Sequence, residues 1–141
     1  MAAWTGEELL AALRERFRAQ TGAAYGMGTV LRELARPQRY RDELGYRSLE
    51  EMLEARGLPT RMTAYKLMSV ASIFELEEVL GLGGTEKTYF LVRAAKIEDP
   101  NGDPRALLEE GARVLGKDVR SVSSRELREA REYYQYKRRC L

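Results

Sequence analysis

The chain predicts an all-α protein: a small multi-helix domain built around a helix-turn-helix, followed by a C-terminal helical extension. Apolar residues recur at i, i+3, i+4 spacing in one segment after another, and no stretch of useful length alternates apolar and polar as a half-buried strand does. Helix-start and helix-stop residues bracket these apolar runs. With 141 residues, 44% of them hydrophobic, the chain can bury about two thirds of the surface that its extended form exposes.

The first helix is announced by Thr5 and Glu8, spaced as a capping box, and by Leu9, Leu10, Leu13 and Phe17 along one side. This stripe either packs on the core or, with Trp4, meets a second copy of the chain. Gly22, Gly26 and Gly28 then loosen the chain, so a separate second helix is expected from about Thr29 to Ala35, ended or bent by Pro37. Arg32, Arg36, Arg39, Arg41 and Arg47 follow, with Glu33, Asp42 and Glu43 among them. Five guanidinium groups here suit phosphate contacts that position a reading helix, and a solvated charged face is the competing reading.

Residues 48–74 read as two helices joined by a tight turn. Ser48 caps the first, Glu51 completes a capping box, and Leu49, Met52 and Leu53 form its buried side. Gly57 ends it in a left-handed conformation, and Pro59 prevents continuation. Thr60 caps the second helix, whose Ala64, Leu67, Met68 and Ala71 turn inward at i, i+3, i+4, i+7. Arg61, Met62, Tyr65, Lys66 and Ser69 are thereby left outward on its early turns. An α-helix fits the DNA major groove, and the N-terminal part of a recognition helix reaches the base edges. The bland alternative is an αα-hairpin that packs the same faces and binds nothing.

Gly45-Tyr46, Ser48-Leu49-Glu50, Gly57-Leu58 and Thr63-Ala64-Tyr65 with Leu67 together resemble bacterial helix-turn-helix DNA-binding proteins over about residues 40–74. The resemblance implies that Gly57 is the turn glycine, Leu58 the apolar plug after it, and Ala64 and Leu67 the buried positions of the recognition helix. The turn holds one residue more than the commonest form, and Pro59 stands where a polar cap is usual.

Beyond the motif, residues 75–80 form a short acidic helical turn. Residues 81–88 superficially suggest a phosphate loop, but Glu86 stands where such a loop needs glycine before Lys87, and no strand precedes it. Gly83-Gly84 are better read as a break, with Thr85 capping a helix through Tyr89, Phe90, Val92 and Arg93 to about Lys96. Two prolines and Asn101-Gly102 at 99–104 mark a boundary. It divides a helical domain, 1–99, from a C-terminal segment, 100–141. Asp103 and Pro104 open the next helix, Leu107, Leu108, Ala112 and Leu115 line it, and Gly116 closes it. A last helix begins with the capping box of Ser123 and Glu126, carries Leu127, Ala130 and Tyr134 on one side, and ends in the basic tail Lys137, Arg138 and Arg139.

The formal net charge is only +2, so distribution decides what charge can say. Residues 75–112 hold four basic against nine acidic side chains, and residues 113–141 hold nine against four. An acidic middle suits a protein partner, and a basic end suits phosphates. One cysteine, Cys140, leaves no internal disulfide, and together with the lack of an export signal or of about 20 consecutive apolar residues it points to the cytoplasm, or the nucleoid if DNA is bound, and not to a membrane. The chain has no histidine, the commonest general base and metal ligand, so neither enzyme activity, a metal site nor a cofactor is expected.

Two functions remain from sequence. One is double-stranded DNA binding as a homodimer, in a bacterial transcription regulator or a nucleoid, plasmid or phage accessory protein. Arg61, Met62, Tyr65, Lys66 and Ser69 would read, and Arg39, Arg41, Arg47, Lys137, Arg138 and Arg139 would hold phosphates. The other is a helical adaptor that grips a protein through the acidic middle or the N-terminal helix.

Overall fold

A computed structural model describes residues 3–97, 99–130 and 132. The chain is all-α, with no strand among the described residues. It divides into two compact units, Met1–Leu76 and Glu77–Leu141.

The first unit opens with α1, Gly6–Leu34. Its start follows the sequence: the Thr5 side chain accepts from the Glu8 N–H at 3.2 Å, and the Glu8 carboxylate accepts from the Thr5 N–H at 3.3 Å. The expected break at the glycines is absent, and α1 runs unbroken through Gly22, Gly26 and Gly28 for 29 residues. The reason at Gly28 is tertiary. A Cβ there would stand 2.8 Å from the Leu67 carbonyl carbon and 3.1 Å from the Ala71 Cβ, so glycine permits a helix crossing that any side chain would block. At Gly22 and Gly26 an added Cβ meets nothing within 4 Å, and nothing in the fold accounts for those two glycines.

After α1 a wide-turn π-helix spans Gln38–Glu43, beginning directly after Pro37. Two shorter helices follow, α2, Leu49–Ala55, and α3, Arg61–Ile73. Leu31, Leu49, Met52, Leu53 and Ala64 form the buried centre, with Leu34, Tyr40, Tyr46, Leu67 and Met68 packed around it. Two polar contacts fasten α1 to the end of α3: the Tyr25 hydroxyl donates to the Phe74 carbonyl at 2.7 Å, and Arg32 reaches the Ala71 carbonyl at 3.4 Å. The first half of α1 takes no part in this core. Leu9, Leu10, Leu13 and Phe17 are exposed, so the expectation that the stripe packs on its own core is not met.

The second unit begins at the second residue of α4, Leu76–Leu82, and continues with α5, Thr85–Ala95, α6, Pro104–Leu115, and a 3-10 turn at Val119–Ser121. Residues 124–130 are helical. Gly84, and not Thr85, is the N-cap of α5; it sits at φ 107° with no side chain to contribute, and Thr85 becomes the first helical residue. Val79, Leu91, Val122 and Leu127 are fully buried here, together with Thr88, whose hydroxyl donates to the Gly84 carbonyl at 2.7 Å. The 99–104 loop lies inside this unit, between α5 and α6. Asp103 is the N-cap of α6 without a side-chain bond, and Gly116 closes the helix at φ 68°. The Ser123 and Glu126 capping box is complete, at 3.1 and 3.3 Å. Glu78 pairs with Arg105, and Lys117 with Glu126, so acidic and basic side chains of this unit neutralise one another in part. Tyr134, Lys137, Arg138, Arg139 and Cys140 lie outside the described residues.

Candidate nucleic-acid interface

The joint between α2 and α3 is built by backbone chemistry that the sequence announces. Ser48 accepts from the Glu51 N–H at 3.1 Å. Glu51 does not return the bond to Ser48; its carboxylate accepts from the Arg47 N–H at 3.0 Å, one residue further out, so only half of the expected capping box forms. At the other end Gly57 takes φ 64°. Its N–H donates to the Glu54 carbonyl at 3.3 Å, and the Leu58 N–H donates to the Leu53 carbonyl at 3.0 Å. These are the two bonds of a Schellman motif, which satisfies carbonyls that the helix end would leave open. Thr60 then caps α3, accepting from the Thr63 N–H at 3.4 Å.

The turn fixes which face of α3 looks out. Ala64 has no exposed surface and Ala71 is buried, while Leu67 and Met68 are partly buried. Val70, which the inward set omitted, is buried as well, because α3 is covered over a wider arc than a single stripe. Outward on the first two turns stand Arg61, Met62 at 71% exposure and Tyr65 at 44%. Lys66 and Ser69 are half-buried at the edge of that face, so the exposed set is narrower than the five residues expected from sequence.

A residue that sequence reasoning missed organises this surface. Glu50, in the first turn of α2, accepts a hydrogen bond from the Tyr65 hydroxyl at 2.9 Å. The same oxygen lies 3.5 Å from the Arg61 Nε, and the Arg61 guanidinium stands 5.6 Å from the centre of the Tyr65 ring. Its own backbone N–H first, and then the Tyr65 hydroxyl, hold the Glu50 carboxyl below its usual range. The Tyr65 hydroxyl is pushed up, chiefly by donating to Glu50. No local spacing rule links positions 50 and 65, which meet only because the turn brings two helices together.

The trio has chemical uses and one electrostatic cost. Arginine can bind guanine by two hydrogen bonds, and a carboxylate can accept from the cytosine amino group. The same carboxylate repels phosphates and competes for Arg61. That competition is weak, because an ion pair whose partners are 73% and 36% exposed is screened by solvent and contributes little.

The arginines ahead of the paired helices divide into two groups. Arg36 and Arg39 both pair with Glu33, at 3.1 and 3.2 Å, and Arg39 also pairs with Glu43 at 2.8 Å. Arg39 lowers the Glu33 carboxyl and is itself held more firmly protonated by Glu33 and Glu43. Part of the positive charge expected here is thus answered within the chain. Arg41 stands over the Tyr40 ring at 5.7 Å and Arg47 is exposed at the entry to α2. Arg56 adds a cation that the sequence reading passed over: it donates to the Tyr46 hydroxyl at 2.7 Å and lies over that ring.

Among the described residues, no group of three His, Cys, Asp or Glu side chains is arranged to hold a metal ion, and no helix is long and apolar enough to cross a membrane. Compared with protein-family profiles, curated protein sequences and solved structures, the chain matches none.

Proposed function

We propose that α2 and α3 form a helix-turn-helix that binds double-stranded DNA, with α3 as the reading helix. The observation that carries this reading is the placement of Arg61, Met62 and Tyr65 on the exposed early turns of α3 while Ala64, between them in sequence, is fully buried. A short helix with a cation, a thioether and a phenol at its outer N-terminal end is suited to a major groove. Arg41 and Arg47 supply cations for flanking phosphates, and Lys66 joins them from the edge of α3. One helix of 13 residues makes few base contacts, so the protein acts as a homodimer, in a role such as transcription regulation or nucleoid, plasmid or phage maintenance.

Binding of the full chain to a random-sequence duplex, followed by gel shift at two salt concentrations, tests the proposal. A complex that weakens steeply as salt rises is the expected result, since each phosphate contact releases counterions. Absence of a complex at low salt removes it. The exposed apolar residues Leu9, Leu13 and Phe17 favour a second reading, a helical adaptor that binds protein and no DNA, and that reading predicts the negative gel shift.

A further inference from the structure

The first half of α1 carries an apolar stripe that the chain leaves open. Leu9, Leu10, Leu13 and Phe17 are 42%, 40%, 64% and 39% exposed. At about 100° per residue this stripe continues in line into Thr21, Gly28 and Leu31, which the second half of the same helix buries. Apolar surface alone does not name an occupant. The charges on its edge do. Glu7 and Arg14 are seven residues apart, about two turns, and therefore share one edge of the stripe, with the acid towards the N-terminal end and the cation towards the middle of the helix.

We propose that this face pairs with the same face of a second copy of the chain, the two helices running antiparallel. In that arrangement Glu7 of one copy lies beside Arg14 of the other, and the two-fold axis repeats the pair, as isologous contact requires. Setting Leu10 against Leu13 of the second copy leaves Glu7 and Arg14 within about 3 Å of the same height, two residues of helical rise. This setting brings Phe17 over Gly6, a large ring against a residue without a side chain. Parallel pairing in register would carry Glu7 and Arg14 to opposite sides of the interface in the two copies, against the Leu9 edge and without a facing opposite charge, and would set the two Phe17 rings at one height. Charge and size both select the antiparallel form. The pairing does not rest on DNA binding, and its test contains no DNA, so the two can fail separately.

The test is sedimentation equilibrium of the full chain at low salt, over a range of concentrations. The wild type is expected to form a dimer that dissociates on dilution. Leu13→Glu removes the dimer, and circular dichroism of that variant checks that the chain stays helical. Glu7→Arg or Arg14→Glu alone sets like charges opposite each other twice and weakens association by about fivefold or more. An equal mixture of these two variants recovers wild-type association as a mixed dimer, because every facing pair is again of opposite sign. A chain that is monomeric throughout overturns the proposal. So does either charge variant associating like the wild type, or a mixture that fails to recover.

Discussion

Gly28 of α1 lies directly against the Leu67 carbonyl of α3, so closely that a Cβ would stand 2.8 Å from the carbonyl carbon. The outward face of α3 is set by this approach, because Tyr65 and Lys66 immediately precede Leu67 on the same helix. Gly28→Ala is expected to cost about 1 to 3 kcal/mol of stability as the two helices are forced apart. Gly26→Ala, two residues earlier, is expected to have the opposite sign. Nothing lies within 4 Å of its added Cβ, and alanine in a helix interior is worth roughly 0.5 to 1 kcal/mol over glycine. Urea denaturation of both variants decides the matter; equal effects would mean that the crossing is not tight at position 28.

Ala64 makes the corresponding test for the inner side of α3. It has no exposed surface and belongs to the core with Leu31, Leu49, Met52 and Leu53. Ala64→Leu should lower stability by about 1 to 3 kcal/mol through overpacking. An unchanged melting temperature would place Ala64 on the surface and rotate the entire helix.

Replacing Glu50 with Gln should release both Tyr65 and Arg61. The raised Tyr65 hydroxyl is expected to titrate at lower pH in the variant, nearer the ordinary phenol value of about 10. The sign of the pH effect follows from the directions. A raised tyrosine contributes stability that is full below its unfolded value and is lost as pH rises through the folded one. The lowered Glu50 carboxyl contributes above its unfolded value and loses that contribution as pH falls through the folded one. The contact therefore holds at neutral pH and fades at both extremes. Carbon NMR of the tyrosine ring, with Tyr65→Phe to assign the signal, measures the shift; an identical midpoint in Glu50→Gln would sink this account.

On DNA, the exposed Arg61 and the half-buried Lys66 should behave differently. Loss of a base contact at Arg61→Ala is expected to cost about 1 to 3 kcal/mol and to relax sequence preference. Lys66→Ala should weaken all sequences alike and reduce the slope of log affinity against log salt by about 0.9. Fluorescence anisotropy on a preferred and a scrambled duplex separates the two effects. A double variant with wild-type affinity would rule out α3 as the contact surface.

Local chemistry was readable from the sequence and tertiary chemistry was not. Thr5, Ser48, Thr60 and Ser123 cap the helices where their neighbours indicate, and Gly57 and Gly116 take positive φ at the helix ends. Leu49, Met52 and Leu53 are buried as their spacing requires. The misplaced break in α1 has a different origin. Gly28 looks unfavourable in a helix until the crossing at Leu67 is known, and that crossing joins residues nearly 40 positions apart. The same holds for Glu50, whose two partners arrive from the following helix. Thr85 shows the limit of local rules themselves, since two glycines before it allow the backbone of Gly84 to take the cap position instead.

The unbroken course of α1 gives the first unit a mechanical property. A helix of 29 residues is about 44 Å long at 1.5 Å per residue, and its two halves share one torsional phase. One residue inserted after Gln20 would swing Leu13 and Phe17 by about 100° relative to Leu31, whereas seven inserted residues would bring them back to within about 20°. Whatever grips the free half of this rod therefore turns the packed half, and α3 crossed against it, as a lever turns its shaft.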